Sequence, residues 1–218
     1  MDKYLFKDHF VHKHSADIFE NSDIDVNKLY EQGFISNKVI PSLNKKLLKL
    51  FKKLSFDEYH MDSITHGKGT EYSFNKNGLP PMVSLLVDKI YSEFGCVLSM
   101  FDIEECPLGI EVAVCKLSEG YYVDWHQDCT NQAVISFCMV INEEDFEEGE
   151  GGVLQFSKVK YDSRGSIIDR EVIGSFPTNN SGQIVFFNPS DLNYQHRCTE
   201  IKTTKTRYLV CGIIGEIG

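Results

Sequence analysis

The chain has 218 residues, 42% of them hydrophobic, enough to bury one substantial core, and a single domain over residues 1–218 is the expectation. A formal net charge of -10 argues against a protein that wraps nucleic acid through its overall field, although Lys45, Lys46, Lys49, Lys52 and Lys53 form a short basic patch. No apolar run approaches a bilayer span, and the N-terminal MDKYLFKDHFVHKHSAD carries charges where a signal peptide needs an apolar stretch, so a cytoplasmic protein without membrane contact is the default.

Residues 1–40 are mixed and weakly periodic, and no definite element is predicted there. From Leu43 onward, Leu43, Leu47, Leu50, Phe51 and Leu54 share one helical face, with Ser42 available as N-cap and the lysines on the wet side. That pattern predicts an amphipathic helix packed on something larger. Residues 55–79 are polar and show little periodicity. A second helix is predicted where Pro81 suits a first turn, Val83, Leu86, Val87, Ile90 and Phe94 form a stripe, and Gly95 marks the end.

After Gly95, short runs rich in valine, isoleucine, phenylalanine and tyrosine recur between turn signals, at 97–101, 110–117, 121–125, 133–141, 152–156, 168–176, 183–188 and 207–214. About eight short strands with no helix between them predict a mainly β fold, a barrel or sandwich, with the N-terminal helices covering the outer face of one sheet. On this division residues 1–95 form a supporting region and residues 96–218 the core. The strongly acidic loop from Asn142 to Gly152 reads best as a solvated connection. The segment 157–166, SKVKYDSRGS, carries an Arg164-Gly165 turn signal and is long enough to project over a barrel mouth.

Trp125-His126-Gln127-Asp128 ends a strand-like segment. Side chains alternate along an extended chain, so His126 and Asp128 point the same way, with Cα atoms about 7 Å apart, and can close on one metal ion. His196 is the leading third ligand. It follows GQIVFFNP and a turn at Ser190-Asp191, and a barrel brings together strand ends 70 residues apart in sequence. Two histidines and one carboxylate leave half of an octahedron open, as in the facial triad of non-haem Fe(II) oxygenases. Arg207 opens the last apolar strand, RYLVCGII, and a guanidinium facing inward there would suit a planar carboxylate. Lys205 is the reserve candidate for that role.

The stretch from about Ile110 to Ile214 resembles the double-stranded β-helix, a jelly-roll or cupin-like fold, of the Fe(II)/2-oxoglutarate-dependent dioxygenases, nearest to their prolyl 4-hydroxylase-like members. EGYYVDWHQD, ISFCMVINEEDFEEGEGGVLQF, GQIVFFNPSDLNYQH and KTTKTRYLVCGII occur in the family's order, and Gly151-Gly152-Val153-Leu154 resembles its Gly-Gly-x-Leu strand opening. The resemblance implies that His126, Asp128 and His196 bind iron and that Arg207 binds the distal carboxylate of 2-oxoglutarate. It also implies O2 as co-substrate, with ascorbate a candidate reductant. Where the family often has Tyr-x-x-Gly this chain has Leu117-Ser118-Glu119-Gly120, and a second frequent tyrosine position falls at about Val140; Tyr121 or Tyr122 is the candidate replacement.

Retention of Asp128 favours hydroxylation over halogenation, with a protein or peptide side chain, proline foremost, or a small molecule as substrate. A protein or nucleic-acid demethylase of the same superfamily is the alternative, and nucleic acid is disfavoured by the charge and by Ile213, where a second arginine is typical. A different class, a cupin-like metal protein without oxygenase activity, predicts the metal site but no dependence on 2-oxoglutarate. A thiol enzyme using Cys198 or Cys129 is weaker still, because the seven cysteines read as reduced small hydrophobes. His12, His14, His60 and His66 read as surface histidines. Nothing in the sequence specifies an oligomeric state.

Overall fold

A computed structural model describes residues 4–5, 17–21, 24–59, 65–66, 69–74, 78–98, 108–128, 133–177, 179–189 and 191–216. The helices are α1 (Asn27–Gln32), α2 (Pro41–Phe51) and α3 (Pro81–Leu98). The strands are β1 (Tyr4–Leu5), β2 (Phe34–Lys38), β3 (Asp57–Tyr59), β4 (Thr65–His66), β5 (Gly69–Ser73), β6 (Leu108–Leu117), β7 (Tyr122–His126), β8 (Ala133–Asn142), β9 (Leu154–Tyr161), β10 (Ile167–Phe176), β11 (Gln183–Phe187), β12 (Tyr194–Cys198) and β13 (Arg207–Glu216).

Both predicted helices form, with altered ends. Pro41 takes the first turn of α2, so Ser42 lies inside the helix and no side chain caps it. Leu43, Leu47 and Phe51 are buried as the periodicity requires. In α3 the stripe Val83, Leu86, Val87, Ile90 and Phe94 is buried, and the helix runs past Gly95 to Leu98. Leu98 repeats the stripe four residues after Phe94 and is fully buried, which outweighs the roughly 1 kcal/mol cost of a helical glycine. The strand expected at 97–101 is therefore helix at 97–98, and its remainder lies outside the described residues.

The strands form two antiparallel sheets. The larger has the order β2-β11-β8-β13-β6-β5-β3, with β1 also paired to β6, and the smaller has the order β10-β9-β12-β7-β4. This is a mainly β protein with a double-stranded β-helix core. One face of the large sheet, including Phe137, Met139, Ile141, Val210 and Ile214, packs with α2 and α3 in the main core. Alternation turns Ser136, Cys138, Val140 and Asn142 of β8, and Arg207, Leu209 and Cys211 of β13, toward the small sheet. There they meet Leu154 and Phe156 of β9 and Cys198 of β12.

Segment 157–166 is no lid. β9 and β10 pair along their length, and only Asp162–Gly165 turn, with the Asp162 carboxylate accepting from the Arg164 and Ser166 amides at 2.8 and 2.9 Å. The elements missed by sequence were short. β2 pairs with β11, and β12, YQHRC, has no apolar run because only alternate residues face the core. The acidic loop is a connection closed by ion pairing: Glu150 meets Lys205 at 2.8 Å.

Candidate metal centre

The placement of His126 depends on an irregularity in β7. Cys198 pairs with Val123 and His196 with His126, so three residues of β7 run against two of β12, which is a β-bulge. The bulge puts Val123 and His126 on the same inner face and turns Trp125 outward. Asp124 supports it twice. Its carboxylate accepts the Trp125 amide at 2.8 Å, and its carbonyl lies 2.8 Å from His126 Nδ1. That second contact makes Nδ1 the protonated nitrogen and leaves the Nε2 lone pair free to bind a metal.

Asp128 Oδ1 lies 3.4 Å from His126 Nε2 and 3.6 Å from His196 Nε2. The three ligand atoms lie within 4.8 Å of one another, and this is the one such group of three found among the described residues. His196 is buried among aromatic rings, with Phe187 at 4.6 Å and Phe156 at 5.7 Å between centroids. Burial pushes its imidazole down to about 4, so it is neutral and available as a donor at ordinary pH. For Asp128, burial acts upward, but the hydrogen bond and charge of His126, the charge of His196 and the Ser136 hydroxyl outweigh it and hold the carboxyl below its usual range. For His126, burial acts downward and is outweighed by Asp128 and the Asp124 carbonyl, for a net rise. Two imidazole nitrogens and one ionised carboxylate, converging in a partly buried site, are the donor set that suits Fe(II).

Arg207 is 1% exposed and faces the barrel interior. Its Nε donates to Asn142 Oδ1 at 2.9 Å, another guanidinium nitrogen donates to the Gly152 carbonyl, and the guanidinium carbon lies 4.3 Å from the Phe146 ring centroid. Burial pushes its pKa down to about 10, which leaves it cationic at neutral pH. Cys211 is near enough to Asp128 to feel its charge, and it stands four residues along β13 from Arg207, roughly 13 Å of extended chain. Triad and arginine thus face one interior from opposite ends.

The remaining candidates separate cleanly. Lys205 is held by Glu150 and by the Asp145 carbonyl, both at 2.8 Å, and is not brought to the triad. Tyr121 is buried beside Leu117, Phe146 and Ile201, and alternation points Tyr122 the other way, on the strand edge that pairs with β4. Cys115, Cys138, Cys198 and Cys211 are thiols, not disulfides, and lie near Tyr121. Burial pushes the Cys198 thiol up to about 11, which removes it as a nucleophile at neutral pH. Cys129, His12, His14 and His60 lie outside the described residues. Sequence reasoning missed Ser136, Asn142 and Phe146. The first two could have been found by extending the alternation of β8 to its polar members.

Comparison with solved structures gives the same fold. A Pseudomonas putida prolyl-4-hydroxylase aligns with a TM-score of 0.64 at 14% identity, over 88% of this chain and 97% of that one. A Trichoplax adhaerens prolyl hydroxylase in complex with a hypoxia inducible factor oxygen degradation domain peptide fragment aligns at 0.56 and 14%, over 86% of each chain. A viral collagen prolyl hydroxylase from Paramecium Bursaria Chlorella virus-1, in complex with 2-oxoglutarate, aligns at 0.55 and 13%, over 86% of this chain and 98% of that one. No protein-family model and no curated protein matches the sequence. At such identities the likeness establishes the fold, the double-stranded β-helix shared by prolyl hydroxylases and other 2-oxoglutarate oxygenases.

Proposed function

We propose that the chain is an Fe(II)- and 2-oxoglutarate-dependent dioxygenase that hydroxylates a carbon centre in a protein or peptide side chain, with proline the leading candidate. The observation that carries this reading is the convergence of His126, His196 and Asp128 Oδ1, at 3.4 and 3.6 Å, on a barrel that also buries a cationic arginine. In the proposal residues 96–218 form the catalytic core and residues 1–95 support it.

Iron(II) held by His126, Asp128 and His196 would couple O2 reduction to oxidation of 2-oxoglutarate, so that substrate C–H, O2 and 2-oxoglutarate become C–OH, succinate and carbon dioxide. Arg207 would anchor the distal carboxylate. Its guanidinium is already oriented by Asn142, Gly152 and Phe146, so little side-chain entropy is lost on binding. Tyr121 is the candidate phenol beside that carboxylate. The Asp124 carbonyl fixes the His126 tautomer, and Phe156 and Phe187 exclude water around His196.

A peptide substrate is supported by the similarly folded Trichoplax prolyl hydroxylase, which is in complex with a peptide fragment. A nucleic-acid substrate is disfavoured by the charge of -10 and by Ile213, and Lys52 of the basic patch is committed to Glu143 at 2.9 Å. Succinate release in the presence of iron(II) and ascorbate tests the choice. A peptide library should raise it and yield products heavier by one oxygen atom, whereas stimulation by methylated oligonucleotides alone would reject the peptide assignment.

A further inference from the structure

Trp125, the one tryptophan of the chain, lies between two arginines. The Arg170 and Arg197 guanidinium carbons each stand 4.6 Å from its ring centroid. The β7 bulge turns the indole to the outer face of the small sheet, and Arg197 follows His196, so both strands that carry histidine ligands present this cluster on their backs. The arginines are held by neutral acceptors. Arg170 donates to Ser157 Oγ at 3.1 Å and to Gln195 Oε1 at 2.7 Å, and Arg197 Nε donates to Gln155 Oε1 at 2.7 Å.

These contacts orient both forks without neutralising them. Among the described residues neither arginine forms an ion pair with a carboxylate, whereas Lys52, Lys89, Lys160 and Lys205 all do. Asp124 offsets part of the Arg170 charge, but in a chain of net charge -10 two oriented guanidiniums side by side, neither paired in contact with a carboxylate, still make a local receptor for an anion. Exposed Asp124 and Glu171 are close in sequence to the cluster, on the strands that carry it, and they disfavour a run of phosphates, which needs several cationic contacts, more than an isolated carboxylate. Exposed Tyr161 and Leu192 offer apolar contact beside the metal site, where Gln127 bonds to the Leu192 carbonyl.

We propose that Arg170, Trp125 and Arg197 dock an acidic residue that flanks the target in a peptide substrate. This rests on the peptide-hydroxylase reading above and adds to it a preference for acidic sequence context.

Trp125 emission reports on the surface directly. The 218-residue chain, with manganese(II) and 2-oxoglutarate, is titrated with two short synthetic peptides that share a central proline, one flanked by glutamates and the other by glutamines. The glutamate peptide should shift the emission and bind about tenfold more tightly, and its advantage should shrink between about 0.05 and about 0.5 M salt. Arg170→Gln combined with Arg197→Gln should erase the advantage while 2-oxoglutarate still binds. Equal affinity for the two peptides in the wild-type chain would overturn the proposal, as would tighter binding of an oligothymidylate through the same arginines. If the double variant does not fold, the wild-type salt series decides. Failure of 2-oxoglutarate to bind would instead count against the oxygenase reading, since the emission difference between peptides reads the docking surface alone.

Discussion

Arg207 carries the strongest residue-scale prediction, because a buried guanidinium without a purpose would be a liability. Arg207→Gln should weaken 2-oxoglutarate binding by tenfold or more, on the order of 1.5–3 kcal/mol for hydrogen bonds to a charged group, while leaving metal binding at the triad intact. Cobalt(II) absorption together with 2-oxoglutarate titration would separate the two effects, and simultaneous loss of both would mean that Arg207 acts by holding the fold. Asn142→Leu should weaken 2-oxoglutarate binding in the same direction but less, since the Gly152 carbonyl still orients the guanidinium. At this scale the sequence was informative about residues whose chemistry is unusual for their position: His126, Asp128, His196 and Arg207 all project toward the interior. It was silent on their supports. Ser136, Asn142 and Phe146 are ordinary residue types whose importance comes from which partner the fold places beside them.

The loop ahead of β9 depends on a backbone conformation that few residues tolerate. Gly151 has φ +80°, and a Cβ there would lie 1.7 Å from the Glu200 carbonyl oxygen. Gly151→Ala should therefore destabilise the chain by roughly 2 kcal/mol or more, measured by denaturant unfolding, and through the adjacent Gly152 carbonyl it should also disturb Arg207. On the opposite face of β13, Tyr208 donates to Glu143 at 2.6 Å and Glu143 pairs at 2.9 Å with Lys52, the C-cap of α2, which ties helix to sheet. Burial of Glu143 acts upward on its carboxyl, but the Tyr208 hydroxyl and Lys52 outweigh it and hold the carboxyl below its usual range. A depressed carboxylate stabilises the fold above its ordinary pKa, and that stabilisation is lost as pH falls through the folded value. Tyr208→Phe should thus cost about 1 kcal/mol near neutrality, with the gap to wild type narrowing below about pH 4.5. The boundaries of β6 and β8 were legible in the sequence because burial on both sheet faces produces long apolar runs. β12 and the β7 bulge were not. A short strand with one solvated face leaves little periodic signal, and a bulge is a register event between two strands.

For the molecule as a whole, the switch from helical periodicity to short alternating runs after the second helix correctly indicated two helices backing a β core. Alternation then predicted which residues line the interior. The outer face of the small sheet was not foreseen, since Arg170, Trp125 and Arg197 are separated in sequence and meet only through β10, β7 and β12. Under the proposed function, one interior holds a metal at its mouth and a dicarboxylate behind it. The most direct test is to add 2-oxoglutarate anaerobically to the chain with verified iron(II) in the site. A weak visible metal-to-ligand charge-transfer band should develop, and His196→Ala should abolish it. Iron bound at His126, Asp128 and His196 with no band and no uptake of 2-oxoglutarate would contradict the account and favour a metal protein of this fold without oxygenase activity.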